Sequence, residues 1–266
     1  MQEMAEAGLS VEERADGIAT VTLDRGRVAN ALNPVLAHHL GRYFSDLATR
    51  TEIRVVLLQG AGRNFCSGFD LGSVDQITAS VGETIRLQRV LSDIVVRMRR
   101  CPQPIIALVQ GAASGAGMAL ALAADVRIAT PDARLNVAMA RIGLTGCDMG
   151  ISYFLPRLVG PSLSAQLMMT GRFINAARAE RVGLISEIVD AEHLKAEGRL
   201  LAEEMLRLSP SGLRLTKEGL NNALDAGSLE EVVALEDRGQ VICIGQHMKE
   251  GVAAFLEKRP ARFEPD

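Results

Sequence analysis

The chain has 266 residues, 48% of them apolar and 23% charged, with no Trp and a formal net charge of −3. That acidic balance excludes a general nucleic-acid binder, which carries a basic surplus. Cysteines at 66, 101, 147 and 243 follow no CxxC or CxxxH spacing, so free thiols are expected and no metal ligands are assigned.

The opening MQEMAEAGLS is acidic and lacks the apolar centre of a signal peptide. No run reaches the roughly 18 apolar residues of a membrane span. A cytoplasmic globular protein is expected, without membrane insertion, its core built from Ala, Leu, Val and Ile. Residues 1–10 are expected to form a flexible N-terminus. IATVTL at 18–23 is β-branched and strand-like. Asn33 can cap a helix that starts at Pro34 and runs to about Arg50. VVLLQG at 55–60 reads as a buried strand, followed by the loop GRNFCSGFDL.

A charged helix is expected from about Glu83 to Arg100, stopped by Pro102 and Pro104 ahead of a strand over 105–109. The glycine-lined turn GAASGAG then leads to a short helix over Met118–Ala124 and a strand in DVRIAT. Another helix is expected over 148–158. Beyond Pro161 helical periodicity dominates, broken by EIVD at 187–190 and by Pro210. Strand–helix alternation followed by a helical tail predicts an α/β core over 11–200. A C-terminal helical region, 201–266, packs on it or on a neighbour.

Two turns attract attention, each following a buried strand. In NFCSGFDL, Ser67-Gly68 forms a tight turn in which Asp70 can cap the next turn. Gly115-Ala116-Gly117 forms the other. Small residues let backbone N–H groups approach a ligand, and one N–H from each turn could bind a single oxygen. A dinucleotide loop does not fit, because Leu120 stands where GxGxxG requires its third glycine. GAASGAG also resembles the nucleophile segment of the Clp proteolytic subunit, with Ser114 as nucleophile. That chemistry needs a nearby His, yet the histidines stand at 38, 39, 193 and 247, all expected on exposed helices. Asp125 reads as a hydrogen-bonded structural carboxylate.

NFCSGFDL together with VQGAASGAGMALALAADVRIA resembles the crotonase family, also called the enoyl-CoA hydratase/isomerase family. So do ALN at 31–33, IGLTGCDMGISYFLPRLVG at 142–160, TGRFINAARAERVGLISEIV at 170–189 and EGVAAFLEKRPARF at 250–263. The resemblance implies a crotonase/ClpP-like spiral of ββα units with a C-terminal helical trimerisation region, as a homotrimer or a dimer of trimers. It implies an acyl-CoA thioester as substrate, in fatty-acid or related metabolism. No separate cofactor is required, since the CoA moiety belongs to the substrate. The oxyanion hole it implies is made by the N–H groups of Ser67 and Ala116, the latter replacing a usual glycine.

The two glutamates of the hydratases fall at Ala119 and Met139, neither of which can exchange a proton. Asp148 stands close to an Asp used by 3-hydroxyisobutyryl-CoA hydrolases, dienoyl-CoA isomerases and 4-chlorobenzoyl-CoA dehalogenases. The resemblance makes it the candidate acid–base, with Glu83 in the lid as a substitute; as a plain helix-start acid it would be favoured by the dipole. CoA contacts are implied for Arg27, Ala29, Cys66, Ser67, Phe69, Lys258 and Phe263. The acyl pocket is implied for Met118, Ala119, Met139 and Met149. Enoyl-CoA hydration or isomerisation is the expectation, with thioester hydrolysis or dienoyl-CoA isomerisation as alternatives within the fold. A CoA-thioester-binding protein without turnover is the alternative from another class.

Overall fold

The computed structural model describes residues 2–73 and 80–264. Strands β1 (Leu9–Glu13), β2 (Ile18–Leu23), β3 (Val55–Gly60), β4 (Ile105–Val109), β6 (Val126–Ala129) and β9 (Glu187–Ile188) form one sheet in the order β1-β2-β3-β4-β6-β9. Only the β1–β2 pair is antiparallel. A second sheet has the order β5-β7-β8 (Ala112–Ser114, Arg134–Asn136, Ile174–Asn175). Its strands have only 2 or 3 residues, too few for an alternation to stand out in the sequence.

Helices are α1 (Gln2–Glu6), α2 (Pro34–Asp46), α3 (Val81–Arg100), α4 (Ala116–Ala123), α5 (Ile151–Val159) and α6 (Pro161–Thr170). They continue with α7 (Ala176–Arg181), α8 (Leu194–Leu206), α9 (Pro210–Ala223), α10 (Leu229–Gln246) and α11 (Met248–Glu257). Asn33 caps α2 as expected, accepting from the Leu36 N–H at 2.8 Å. A 3-10 turn, Leu47–Thr49, then takes over short of Arg50. Residues 1–10, expected to be flexible, contain α1 and the start of β1. Leu9 pairs with Leu23 and is 1% exposed, and this apolar contact ties the segment to the sheet.

Parallel strands covered on both faces read as continuous apolar runs, and their period of two divides the core. Val56, Leu58, Ile105, Ala107 and Val109 face a large cluster that includes α2, α3 and α4 residues. Val55, Leu57, Ile106 and Leu108 face the smaller cluster with Leu194, Ala202 and Leu213 of α8 and α9. Lys217 on α9, 4% exposed, donates to the carbonyls of Met98 (3.0 Å) and Gln103 (2.8 Å) and pairs with Asp125 (3.0 Å). Asp125 also accepts from the Ile105 N–H at 2.8 Å. Its role is structural: it joins α9 to the start of β4. Further out, α10 buries none of its residues within the chain.

Candidate active site

The loop after β3 is held from two sides. Cys66 donates its N–H to the Ala112 carbonyl (3.0 Å) and its carbonyl accepts from Ser114 (2.9 Å), which extends the second sheet. On the other side, Leu32 donates to Gly68 (2.8 Å) and Asp70 donates to Leu32 (2.8 Å), bracketing the bridge between Leu32 and Phe69. Asp70 also pairs with Arg25 at 2.9 Å and accepts from the Gly72 N–H at 3.0 Å. The fully buried Asn30 closes the support, donating to the carbonyls of Ala61 (2.8 Å) and Asn64 (2.7 Å). Sequence reasoning missed Arg25 and Asn30; their partners are distant along the chain and leave no local pattern.

This network corrects one expectation. The Ser67 N–H is already committed to the Ala29 carbonyl at 3.0 Å, so it is not available to a ligand oxygen. In an extended segment successive N–H groups point to opposite sides. Phe69 meets Leu32 through its flanking peptide groups, which leaves its own N–H turned the other way. Among the described residues that N–H has no acceptor. The free donor of this turn therefore belongs to Phe69.

The second turn brings its donor alongside. Gly115 sits at φ 52° and ψ −117°, and α4 begins at Ala116. As the first helical residue, Ala116 has an N–H without an intrahelical partner, and among the described residues nothing else accepts it. Two glycines permit the approach. A methyl on Gly68 would lie 2.9 Å from the Ser114 oxygen and 3.6 Å from the Ala116 nitrogen. A methyl on Gly117 would lie 2.1 Å from the Cys66 carbonyl oxygen, which no side chain can survive. Two unaccepted N–H groups thus lie on adjoining turns, beside a helix N-terminus that adds positive potential. That arrangement favours an oxygen that gains negative charge.

The surrounding side chains supply little chemistry. Met118 and Ala119 are fully buried, Met139 is 6% exposed and Met149 is 3% exposed, all in the cluster that includes Ala116. Burial pushes the Cys66 thiol up to about 12, which removes it as a nucleophile. Ser114 makes no hydrogen bond with a histidine among the described residues. Of the histidines expected to be exposed, His247 is 8% exposed, bonded to Ser211 at 3.0 Å, because the α10–α11 junction folds it inward.

Asp148 does not open a helix over 148–158, because α5 starts three residues later, after Gly150 in a left-handed conformation. Asp148 occupies the preceding turn, half-buried. Its Oδ1 accepts from the Met149 N–H at 2.8 Å and from Gln88 of α3 at 2.5 Å. Glu83 is exposed on the first turn of α3 beside Arg86, at 3.7 Å. Arg27 is exposed in a 3-10 turn, Gly26–Val28. Lys258 ends α11 in a left-handed conformation. Phe263 packs edge-on against His247 with centroids 5.5 Å apart, and it lines a cavity of about 370 Å³ with Gly17, Arg50, Pro104 and Arg214. Neither Lys258 nor Phe263 meets the two turns within this chain.

The model of the family described as "Enoyl-CoA hydratase/isomerase" matches residues 13–266. A Mycobacterium tuberculosis protein named "Probable enoyl-CoA hydratase EchA12" is 37% identical over 263 residues, 96% of this chain and 92% of the relative. The 1,2-epoxyphenylacetyl-CoA isomerase of Escherichia coli K12 is 33% identical over 250 residues, 93% of this chain and 95% of that protein. The crystal structure of an enoyl-CoA hydratase from Bacillus anthracis superposes with a TM-score of 0.91 at 29% identity, covering 97% of this chain and 100% of that one.

Proposed function

The chain belongs to the enoyl-CoA hydratase/isomerase family, and from that premise we propose that it isomerises an acyl-CoA through a thioester enolate, with Asp148 as its acid–base group. The thioester oxygen sits between the N–H groups of Phe69 and Ala116. With a 3-enoyl thioester, the Asp148 carboxylate removes a proton from Cα and the electron pair moves onto the thioester oxygen. As the enolate collapses, the double bond shifts to C2–C3 and Asp148 returns the proton to C4. The two N–H groups bind the oxygen most strongly when it is charged, which lowers the barrier to proton removal.

The observation that carries this reading is the pair of unaccepted N–H groups beside side chains, Ala119 and Met139, that cannot transfer protons. A water-adding mechanism built on two glutamates has no groups at those positions. A relative that isomerises an acyl-CoA, at 33% identity, supports the choice of reaction. Arg27 and the backbone at Ala29 are assigned to the CoA moiety. Trimer formation is assigned to the exposed apolar side chains of α10 and α11, among them Val241, Phe255 and Leu256 at 67%, 82% and 73% exposure. Among the described residues no helix is long and apolar enough to cross a membrane.

The test is a mass-spectrometric panel of crotonyl-, 3-enoyl-, 2,4-dienoyl- and 3-hydroxyacyl-CoA in heavy-oxygen water. A double-bond shift without label is expected; labelled 3-hydroxyacyl-CoA would indicate hydration and labelled free acid hydrolysis. Asp148→Asn is expected to lower turnover by about 10²–10⁴-fold while CoA affinity, measured by calorimetry, stays within twofold. CoA binding without any conversion by the unmutated protein would favour the binding-protein reading instead.

A further inference from the structure

We propose that Gln88 is a positioning residue that fixes which oxygen of Asp148 handles the proton; this rests on the reading of Asp148 as the acid–base group. Asp148 Oδ1 takes both donors, Gln88 Nε2 at 2.5 Å and its neighbour's N–H, Met149, at 2.8 Å. Among the described residues Oδ2 has no partner. A carboxylate held by one oxygen through two donors cannot rotate freely, so its second oxygen is presented in one direction.

Both donors are themselves fixed. Gln88 Nε2 also reaches Ser92 Oγ one turn along α3 at 3.3 Å, which restricts its rotamer. The helix itself is anchored by Leu91, Ile94, Val95 and Met98 in the core. On the Asp148 side, Met149 has φ 44°, a left-handed conformation uncommon for a residue with a side chain, and Gly150 follows at φ 77°. That backbone aims the Met149 N–H at Oδ1, and such strain persists where the surroundings enforce it. Gln88 is exposed, so nothing in the packing of the core requires an amide there.

The role predicts a specific kinetic signature. Gln88→Leu removes one of the two donors that hold Oδ1. The remaining contact lets the carboxylate swing, and kcat falls by about tenfold, the scale of one hydrogen bond to a charged group. KM stays within twofold, because Gln88 is assigned no contact with CoA.

The experiment measures deuterium exchange at Cα and conversion of trans-3-hexenoyl-CoA against pH. It compares the unmutated protein, Gln88→Leu, Gln88→Glu, Asp148→Asn and the Gln88→Leu/Asp148→Asn double variant. Gln88→Glu keeps the shape but donates only when protonated, so its activity is expected to fall as pH rises. In the double variant, Gln88→Leu is expected to cost nothing beyond the loss from Asp148→Asn. An equal loss in both backgrounds would mean a structural role and overturn the proposal. So would an unchanged kcat in Gln88→Leu while Asp148→Asn is inactive. Exchange that survives Asp148→Asn would overturn the acid–base reading itself, and Gln88's role with it.

Discussion

The two glycine turns and the loop around Asp148 are built on opposite principles. In the turns, the proposed functional groups are peptide N–H donors, and the side chains matter by being small or absent. Gly68 and Gly117 are dictated by carbonyl oxygens that would lie 2.9 Å and 2.1 Å from a side-chain methyl. In the loop, the proposed acid–base group is a side chain, held at one oxygen by a neighbouring helix. A donor that belongs to the backbone is inseparable from the fold, so any residue that fits the turn supplies it. An acid can be moved or deleted without disturbing the chain. Ala119 and Met139 can therefore occupy their positions while the two unaccepted N–H groups are kept.

The harshest way to test this contrast is Gly117→Ala. The added methyl cannot coexist with the Cys66 carbonyl, so either α4 or the loop must shift. About 3 kcal/mol of stability should be lost, a fall in Tm of roughly 6–12 °C, and turnover should disappear into the background. Calorimetry and the 3-enoyl-CoA assay read the two effects separately. A variant with normal Tm and rate would show that the close approach is not needed.

A backbone substitution sharpens the comparison further. Replacing the amide by an ester at Phe69 removes its N–H and leaves the side chain, and kcat should fall about 10²–10³-fold. The same replacement at Ser67 removes only the bond to Ala29. It should cost about 1 kcal/mol of stability with kcat within a few-fold of normal. If the two esters exchange these effects, the donor belongs to Ser67 after all.

The smallest effect uses the two cysteines as reporters, one in each region. Cys66 is fully buried in the first turn with its thiol pushed up to about 12, whereas Cys147 is exposed beside Asp148. Iodoacetamide at pH 8 should label Cys147 and leave Cys66 unmodified until the protein is unfolded, as read by peptide mass spectrometry. Labelling of Cys66 in the native protein would mean that the turn opens.

Much is legible along the chain because it is local. The strands 18–23, 55–60 and 105–109 follow from unbroken apolar runs between turn residues, and the start of α2 follows from Asn33-Pro34. Ala116 as a donor comes from the family resemblance; the local pattern starts the helix only at Met118, whereas it opens at Ala116. The loop at 64–71 cannot be resolved in this way. Which of its N–H groups is free depends on Ala29 and Leu32, more than 30 residues earlier, and on a change of direction at Gly68. The family resemblance points to Ser67, whereas the structure leaves the Phe69 N–H free. The Gln88–Asp148 contact spans 60 residues and is invisible to any periodicity.

By itself, then, the sequence determined the layered α/β arrangement, the two small-residue turns, and the absence of acids at 119 and 139. These are matters of composition, spacing and steric permission, which act between neighbours in the chain. The tertiary structure alone decided which backbone donors stay unpaired and which oxygen of Asp148 stays free. It also decided that His247 is buried and that residues 9–13 join the sheet. Those outcomes depend on which distant groups compete for each hydrogen bond, and that competition is resolved only when the chain has folded.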